Sequence, residues 1–198
     1  MDFRTAPAPS AFAWGEPRGV GKTKTASATV PGGKKISVQT PRCSTRVFKD
    51  ARSTTLYMSL STDSGGDGVH AAFAAWIAAL EAHAASTGVI PADRALSPSI
   101  RTSNAGYGDS FRLMVWDDAQ WFDANGQFLK DGAPPAVHEA TCIMEFGGCW
   151  VGDAAWGLKW RVVQVQTHPA AAAAAVKKPA ATAAATAAAT AAYAFLDD

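Results

Sequence analysis

The stretch 54–62, TTLYMSLST, alternates apolar and polar side chains and indicates the fold class. Successive side chains of a β-strand face opposite ways, so Leu56, Met58 and Leu60 would lie together on one side. The residues between them would lie on the other side, towards solvent. The stretch therefore predicts a half-buried strand at the edge of an apolar core.

Similar alternation before and after this stretch predicts at least five strands in all. The predicted strands are 35–40, 54–62, 111–116, 141–146 and 158–166. A type I′ turn is expected at Asn125-Gly126, because that turn requires positive φ angles at both of its central residues. Between 69 and 85 apolar residues recur at helical spacing among alanines, which predicts one amphipathic helix. Strands joined by short turns and interrupted by one helix favour a small closed β-barrel over a parallel α/β sheet.

Composition divides the chain into four parts. Residues 1–33 are rich in Pro, Gly, Ser and Thr, which predicts a flexible basic arm that adds at most an edge strand. The barrel domain is expected over 34–168. Residues 169–192 are almost entirely Ala, Thr and Pro, which predicts a disordered linker because nothing large can be buried. The acidic and aromatic tip at 193–198, YAFLDD, has the apolar anchors of a partner-binding peptide.

The net charge of +1 conceals a strong segregation of charge along the chain. Residues 1–52 contain ten Lys or Arg against three Asp or Glu, whereas residues 53–153 contain four against twelve. A polyanion would therefore first meet the N-terminal part of the chain. The alternative is that these cations form only a solvated surface.

The sequence contains no pattern typical of catalysis or metal binding. The four histidines and three cysteines lack metal-ligand spacing, and so few cysteines suit a reducing, intracellular compartment. The glycine-rich stretch 19–23, GVGKT, resembles a phosphate-binding loop but fails on the position of its first glycine. Adjacent Asp117 and Asp118 would point to opposite faces of a strand. We therefore expect no enzyme activity, no cofactor and no metal, and also no signal peptide and no membrane span.

Two stretches carry a resemblance to a known family. The first is Ile36–Arg42, ISVQTPR, followed by the strand at 54–62. The second is Cys149–Val165, CWVGDAAWGLKWRVVQV, in which a Gly-Leu-Lys-Trp element leads into the last predicted strand. With one helix after the second strand, the order resembles the replicative single-stranded DNA-binding proteins of podophages and of large nucleocytoplasmic DNA viruses, especially those that infect algae.

The resemblance implies an OB-fold, a five-stranded Greek-key barrel, with one inserted α-helix and disordered N- and C-terminal tails. It implies sequence-independent binding of single-stranded DNA in viral DNA replication, recombination and repair, in a host nucleus or a viral replication factory. Phage members often dimerise, so a homodimer is an open alternative to a monomer.

The resemblance also implies that the C-terminal tip recruits replication partners, namely DNA polymerase and helicase or primase. The tip departs from the phage pattern, because it has only two aspartates and its Phe is not the last residue. The predicted partner-binding residues are Tyr193, Phe195, Leu196, Asp197 and Asp198.

The candidate DNA-binding residues combine cations that hold phosphates with rings that stack on bases. A phosphate-binding loop between the first two predicted strands would contain Arg42, Arg46, Lys49 and Arg52. The other predicted contacts are Arg112, Lys159 and Arg161 to phosphates, and Tyr57, Trp116 and Trp121 to bases.

Two other functions fit the same composition. A structural or virion β-barrel protein could use a Trp-rich surface to bind other proteins. An RNA-binding OB module would show a similar mixture of rings and cations, and competition between RNA and DNA of equal length would separate it from a DNA-binding protein.

Overall fold

The computed structural model describes residues 2–19, 21–33, 36–49, 54–60, 68–102, 108–131 and 137–169. These residues form mainly β-structure, and the predicted helix over 69–85 is confirmed as α1, Val69–Ser86. Short 3-10 turns lie at Phe3–Thr5 and Pro9–Ala11. The strands in chain order are β1 Ala13–Trp14, β2 Lys24–Ala26, β3 Ala28–Thr29, β4 Ile36–Gln39, β5 Cys43–Lys49, β6 Thr54–Ser59, β7 Ala95–Leu96, β8 Ile100–Thr102, β9 Asp109–Phe122, β10 Glu139–Val151 and β11 Ala155–His168.

The long strands pair in a closed cycle. Antiparallel pairs join β5 to β6 and β6 to β9, and a parallel pair joins β9 to β11. β11 then pairs antiparallel with β10, which returns to β4 and β5. With β4 and β5 counted as one strand bent at 40–42, five strands close into a barrel. Closure leaves the long strands without exposed edges along most of their length.

The apolar side of each strand faces the inside of the barrel. Leu56 and Met58 of β6 are fully buried, as the alternation of TTLYMSLST predicts, and so are Phe111 and Val162 on β9 and β11. Burying each such side chain stabilises the fold by about 1.5–3 kcal/mol relative to leaving it exposed. The residues that alternate with these apolar side chains along each strand, such as Tyr57 and Arg112, face outward.

The helix α1 packs its apolar side on the barrel. Phe73 of α1 contacts Phe111 edge to face, with ring centroids 5.5 Å apart. The ring centroids of Trp76 of α1 and Trp160 of β11 are 6.1 Å apart. The buried carboxylate of Glu81 accepts a hydrogen bond of 2.7 Å from the backbone N–H of Ser99. That bond satisfies a charge that would otherwise be costly to bury, and it ties the segment after the helix to α1.

The expectation of a flexible arm over 1–33 is wrong for the described residues 2–19 and 21–33. Phe3 and Phe12 are buried, and the Phe3 ring packs on Phe73 with centroids 5.2 Å apart. β2 adds an antiparallel strand to β10 along Cys149–Val151. The segment is mostly polar in composition, and its packing on the barrel depends on isolated aromatic residues such as Phe3 and Phe12.

Gly148 allows this N-terminal segment to approach β10 closely. A Cβ atom at Gly148 would overlap the carbonyl oxygen of Ala26 and lie 2.9 Å from the backbone N of Ala28. Its φ of 99° also lies in the region that favours glycine. Only glycine therefore fits where β2 and β3 cross β10.

The predicted two-residue turn at Asn125-Gly126 is a three-residue loop in the structure. The N–H of Asp123 donates to the carbonyl of Gln127 at 2.9 Å, and the N–H of Gly126 donates to the carbonyl of Asp123 at 3.0 Å. The Asp123 carboxylate also accepts from the backbone N–H groups of Asn125 and Gln127. This side-chain capping stabilises a longer loop than the Asn-Gly pair predicts.

All three cysteines are buried and free. Burial raises the pKa of the Cys43 and Cys149 thiols to about 12, and it raises the pKa of the Cys142 thiol as well. The carboxylates of Glu139 and Glu81 add smaller contributions in the same direction at Cys43 and Cys149. Protonated, enclosed thiols are poor nucleophiles and poor metal ligands, so their part in this molecule is packing.

Candidate nucleic-acid interface

A row of three side chains crosses the outer face of β5, β6 and β9. The register pairs Arg46 with Tyr57, and Tyr57 with Arg112, so the ring lies between two cations. The guanidinium carbon of Arg112 lies 5.9 Å from the centroid of the Tyr57 ring. A cation–π contact at an exposed site contributes about 0.5–1 kcal/mol, which favours the ring and the charge lying side by side. We call these three residues the central row.

Exposed apolar side chains lie beside the central row. Phe48 of β5 is 58% exposed and packs edge to face on Tyr57, with ring centroids 5.3 Å apart. Met114 of β9 is 44% exposed and lies two residues from Arg112 on the same side of the strand. Large apolar side chains that stay in solvent beside fixed charges are typical of binding surfaces.

A β-bulge in β9 contains Trp116, which is the most exposed of the tryptophans in the described residues. In the parallel register, Val115 pairs with Val162 and Gln120 with Gln164, so β9 advances five positions while β11 advances two. Residues 116–119 therefore lie opposite a single residue of β11, and we call these four residues the bulge. Trp116 projects from the bulge and is 57% exposed. Trp116 lies on the outward side of β9 by the same alternation that exposes Arg112 and Met114, and it is the first residue of the bulge.

A groove of about 870 Å³ runs along β9 and β11 on one side of the central row. The segment 97–101 forms one wall, and the outer face of β11 contributes to the floor. The groove brings four cations, three exposed or half-buried rings and two acids together. They are Arg101, Arg112, Lys159, Arg161, Trp116, Trp150, Trp160, Asp117 and Asp118.

Trp150 forms part of the groove because its partner in the ladder is a glycine. Register places Trp150 of β10 opposite Gly157 of β11. A Cβ at Gly157 would lie 2.9 Å from the indole nitrogen of Trp150 and 2.9 Å from the carbonyl oxygen of Ser97. The missing side chain therefore lets the indole lie across β11 beside the segment at 97.

A smaller pocket of about 440 Å³ lies on the other side of the central row. It combines one cation, two rings and several hydroxyl groups. Its lining includes Ser44, Arg46, Phe48, Tyr57, Ser59 and Ser110. Hydroxyl and guanidinium groups donate hydrogen bonds to phosphate oxygens, and rings stack on bases. The pocket and the groove therefore both suit a nucleic-acid strand.

Six of the predicted site residues lie on this one face. Arg46, Tyr57 and Arg112 form the central row, while Trp116, Lys159 and Arg161 line the groove beside it. Phe48, Met114, Trp150 and Arg101 also line the two concave surfaces but were not predicted. Alternation within 43–49, CSTRVFK, places Phe48 on the same side as Arg46 and could have identified it. Trp150 could be found only from the register of β10 against β11.

The prediction of a basic loop over 42–52 is wrong for the residues that form β5, Cys43–Lys49. Arg46 therefore lies on a strand face, and Lys49 ends the strand opposite Thr54. Arg42 lies before β5, where its guanidinium contacts the carboxylate of Glu139 and donates to the carbonyl of Pro169 at 3.2 Å. It lines neither the groove nor the pocket. Arg52 lies outside the described residues.

The prediction that Trp121 stacks on a base is also wrong in this structure. β9 continues to Phe122, and Trp121 pairs in register with Val165 of β11. The indole is 4% exposed and belongs to the core. The sequence places Trp121 just before the predicted turn at Asn125-Gly126, but it does not show that β9 extends to this residue and turns its indole inward.

Other expectations concern metal sites, membrane spans and the C-terminal tip. Within the described residues, no three His, Cys, Asp or Glu side chains are grouped closely enough to hold a metal ion. In the same part of the chain, no helix is both long and apolar enough to cross a bilayer. The predicted tip, Tyr193, Phe195, Leu196, Asp197 and Asp198, and the linker from residue 170 onward lie outside the described residues.

No protein-family model matches the chain, and no curated protein sequence matches it. Solved structures match over most of its length. The single-stranded DNA-binding protein from bacteriophage Enc34 is 10% identical, with a TM-score of 0.45 over 79% of this chain and 94% of the truncated phage chain. A second structure of the Enc34 protein is also 10% identical to this chain. Its TM-score is 0.44, over 78% of this chain and 89% of the phage chain.

The single-stranded DNA-binding protein gp2.5, encoded by bacteriophage T7, is 12% identical to this chain. Its TM-score is 0.39 over 73% of this chain and 99% of the phage chain.

Proposed function

We propose that this protein binds single-stranded DNA, without sequence preference and without acting on it chemically, on the outer face of β5, β6, β9 and β11. The observation that carries the proposal is the central row, a tyrosine between two arginines, with concave surfaces on both sides. Stacking of a base on an aromatic ring contributes about 1–3 kcal/mol whatever the base. Cations beside the ring hold the phosphates on either side of that base.

The barrel supports this proposal, and we assign it to the OB class. OB-folds are five-stranded barrels that bind oligonucleotides on the face of their second and third strands. In this barrel those strands are β6 and β9, which carry Tyr57 and Arg112. The candidate interface therefore lies on the face that the fold class uses.

Exposed rings favour unpaired bases over a duplex. In double-stranded DNA the faces of the bases are already stacked on one another, so Phe48, Tyr57 and Trp116 would find only edges and phosphates. In a single strand the faces of the bases can stack on these rings without first unstacking a duplex. RNA offers the same faces, and competition between oligo-dT and oligo-U of equal length tests the preference.

The wider role follows from the family resemblance and stays a prediction. The protein would coat single-stranded DNA exposed during replication, recombination and repair. The tip at 193–198 would recruit DNA polymerase and helicase or primase. A homodimer and a viral replication compartment belong to the same set of predictions. The proposal about the central row depends on none of them.

A fluorescence titration with oligo-dT at several salt concentrations tests the proposal. We expect tryptophan quenching and an affinity that falls steeply with salt. The double variant Arg46→Ala/Arg112→Ala should make the slope of log affinity against log salt less steep by about 1.4, since each lost phosphate contact on a single strand removes about 0.7.

The control Arg42→Ala/Lys130→Ala removes the same charge from positions that line neither concave surface. Its slope should match that of the wild type. Wild-type protein that shows no binding at low salt would overturn the proposal and favour a protein-binding barrel. A central-row variant with the wild-type slope would remove Arg46 and Arg112 from the interface.

A further inference from the structure

The bulge of β9 places an acid directly on one of the cations of the groove. The carboxylate of Asp118 contacts the guanidinium of Arg161 on β11. The two side chains are 59% and 50% exposed, respectively. The ion pair therefore lies at the open surface of the groove, where a ligand can reach it.

We propose that Asp118 occupies the place on Arg161 that a DNA phosphate takes in the complex. This inference rests on the function proposed above. A carboxylate and a phosphate both bind a guanidinium through paired oxygen acceptors, so one anion can replace the other on the same donors. DNA binding at this position is then an exchange of anions.

The charges around Arg161 make such an exchange necessary. Glu145 of β10 is the register partner of Arg161 on the side away from β9, and Asp117 also lines the groove. Acids from both neighbouring strands thus lie near this cation. A phosphate that approaches Arg161 without displacing Asp118 would meet three negative charges, those of Asp118, Asp117 and Glu145.

The bulge gives Asp118 a means of leaving. The parallel ladder between β9 and β11 resumes only at Gln120, so residues 116–119 stand outside its regular register. Asp118 can release Arg161 without disturbing the strand pairs on either side. Trp116 belongs to the same bulge, so release of Asp118 also frees the exposed indole to adjust to a base.

The exchange is weakly opposed, because an ion pair with both partners exposed contributes little to stability. Removing the acid should therefore strengthen DNA binding. We expect Asp118→Asn to bind oligo-dT about two- to fivefold more tightly at low salt, which corresponds to the usual strength of an exposed pair. Its salt slope should be steeper by about 0.7, because the interface gains one net positive charge.

Asp93→Asn is the matched control. Asp93 is also an exposed acid paired with an arginine, Arg94, at 3.1 Å, and neither residue lines the groove. This variant should change affinity and slope by less than half as much as Asp118→Asn. Circular dichroism and thermal unfolding of both variants verify that each is folded.

A double-mutant cycle with Arg161→Gln locates the effect. The gain from Asp118→Asn should fall to that of the control once the guanidinium is gone, because Arg161 then offers no charge for a phosphate to bind in place of Asp118. Equal or weaker binding by Asp118→Asn, in a wild-type background that binds oligo-dT, would overturn the exchange and indicate a pair that only shapes the groove. Wild-type protein that fails to bind would overturn both this inference and the proposed function.

Discussion

Trp116 and Trp121 lie five positions apart on β9 and have opposite environments. Trp116 projects from the bulge, whereas Trp121 is enclosed beside Val165. Alternation predicts Trp116 on the outward side together with Arg112, since the pattern is local to one strand. It could not predict that Arg42 is held by Glu139, because that contact joins residues nearly one hundred positions apart in the chain.

Trp116 should be both a base-stacking ring and the principal fluorescent reporter. We expect Trp116→Ala to weaken oligo-dT binding by about 5- to 150-fold, the equivalent of one base stack. Trp116→Phe should keep most of the affinity but lose most of the quenching. Calorimetric titration measures affinity without relying on the tryptophan signal.

The control is Trp121→Phe, which changes a buried indole and should leave the quenching unchanged. Full quenching in Trp116→Phe would show that another tryptophan of the chain contacts the DNA.

The strands of the barrel extend beyond the segments that alternation identified. The predicted 111–116 is the centre of Asp109–Phe122, and 141–146 lies within Glu139–Val151. Alternation fails at the bulge in β9 and at the irregular register of β10 near Gly148. Sequence therefore predicts the regular parts of strands, while bulges depend on how paired strands fit one another.

Gly148 should be critical to the docking of the N-terminal segment. Gly148→Ala places a methyl group against the backbone of β2 and β3, whereas Gly126→Ala, at a similar φ of 75°, meets nothing within 4 Å. Both substitutions cost about 1 kcal/mol for the positive φ angle.

We expect Gly148→Ala to lower the free energy of unfolding in urea by about 2 kcal/mol more than Gly126→Ala, since it adds a clash with rigid backbone. Equal losses in the two variants would mean that the N-terminal segment is not packed closely on β10.

The whole molecule brings its binding face together from parts that are distant in sequence. Most of the basic residues lie before residue 53, yet only Arg46 of that part belongs to the central row. Arg4 pairs with Asp2, and Arg42 with Glu139. Charge segregation along the chain therefore predicts a basic protein surface without locating it. Closure of the barrel, which sets β5, β6, β9 and β11 side by side, decides which cations share a groove.

Ultraviolet cross-linking of oligo-dT to the full chain, with the adducts mapped by mass spectrometry, tests the location of the interface. We predict adducts at Tyr57, Phe48 and Trp116, because their rings lie on the face of the central row. Phe128 at the hairpin is 54% exposed and offers an alternative site of attachment away from that face. Adducts confined to Phe128 or to the N-terminal segment, with none on β5, β6 or β9, would contradict DNA binding across the central row.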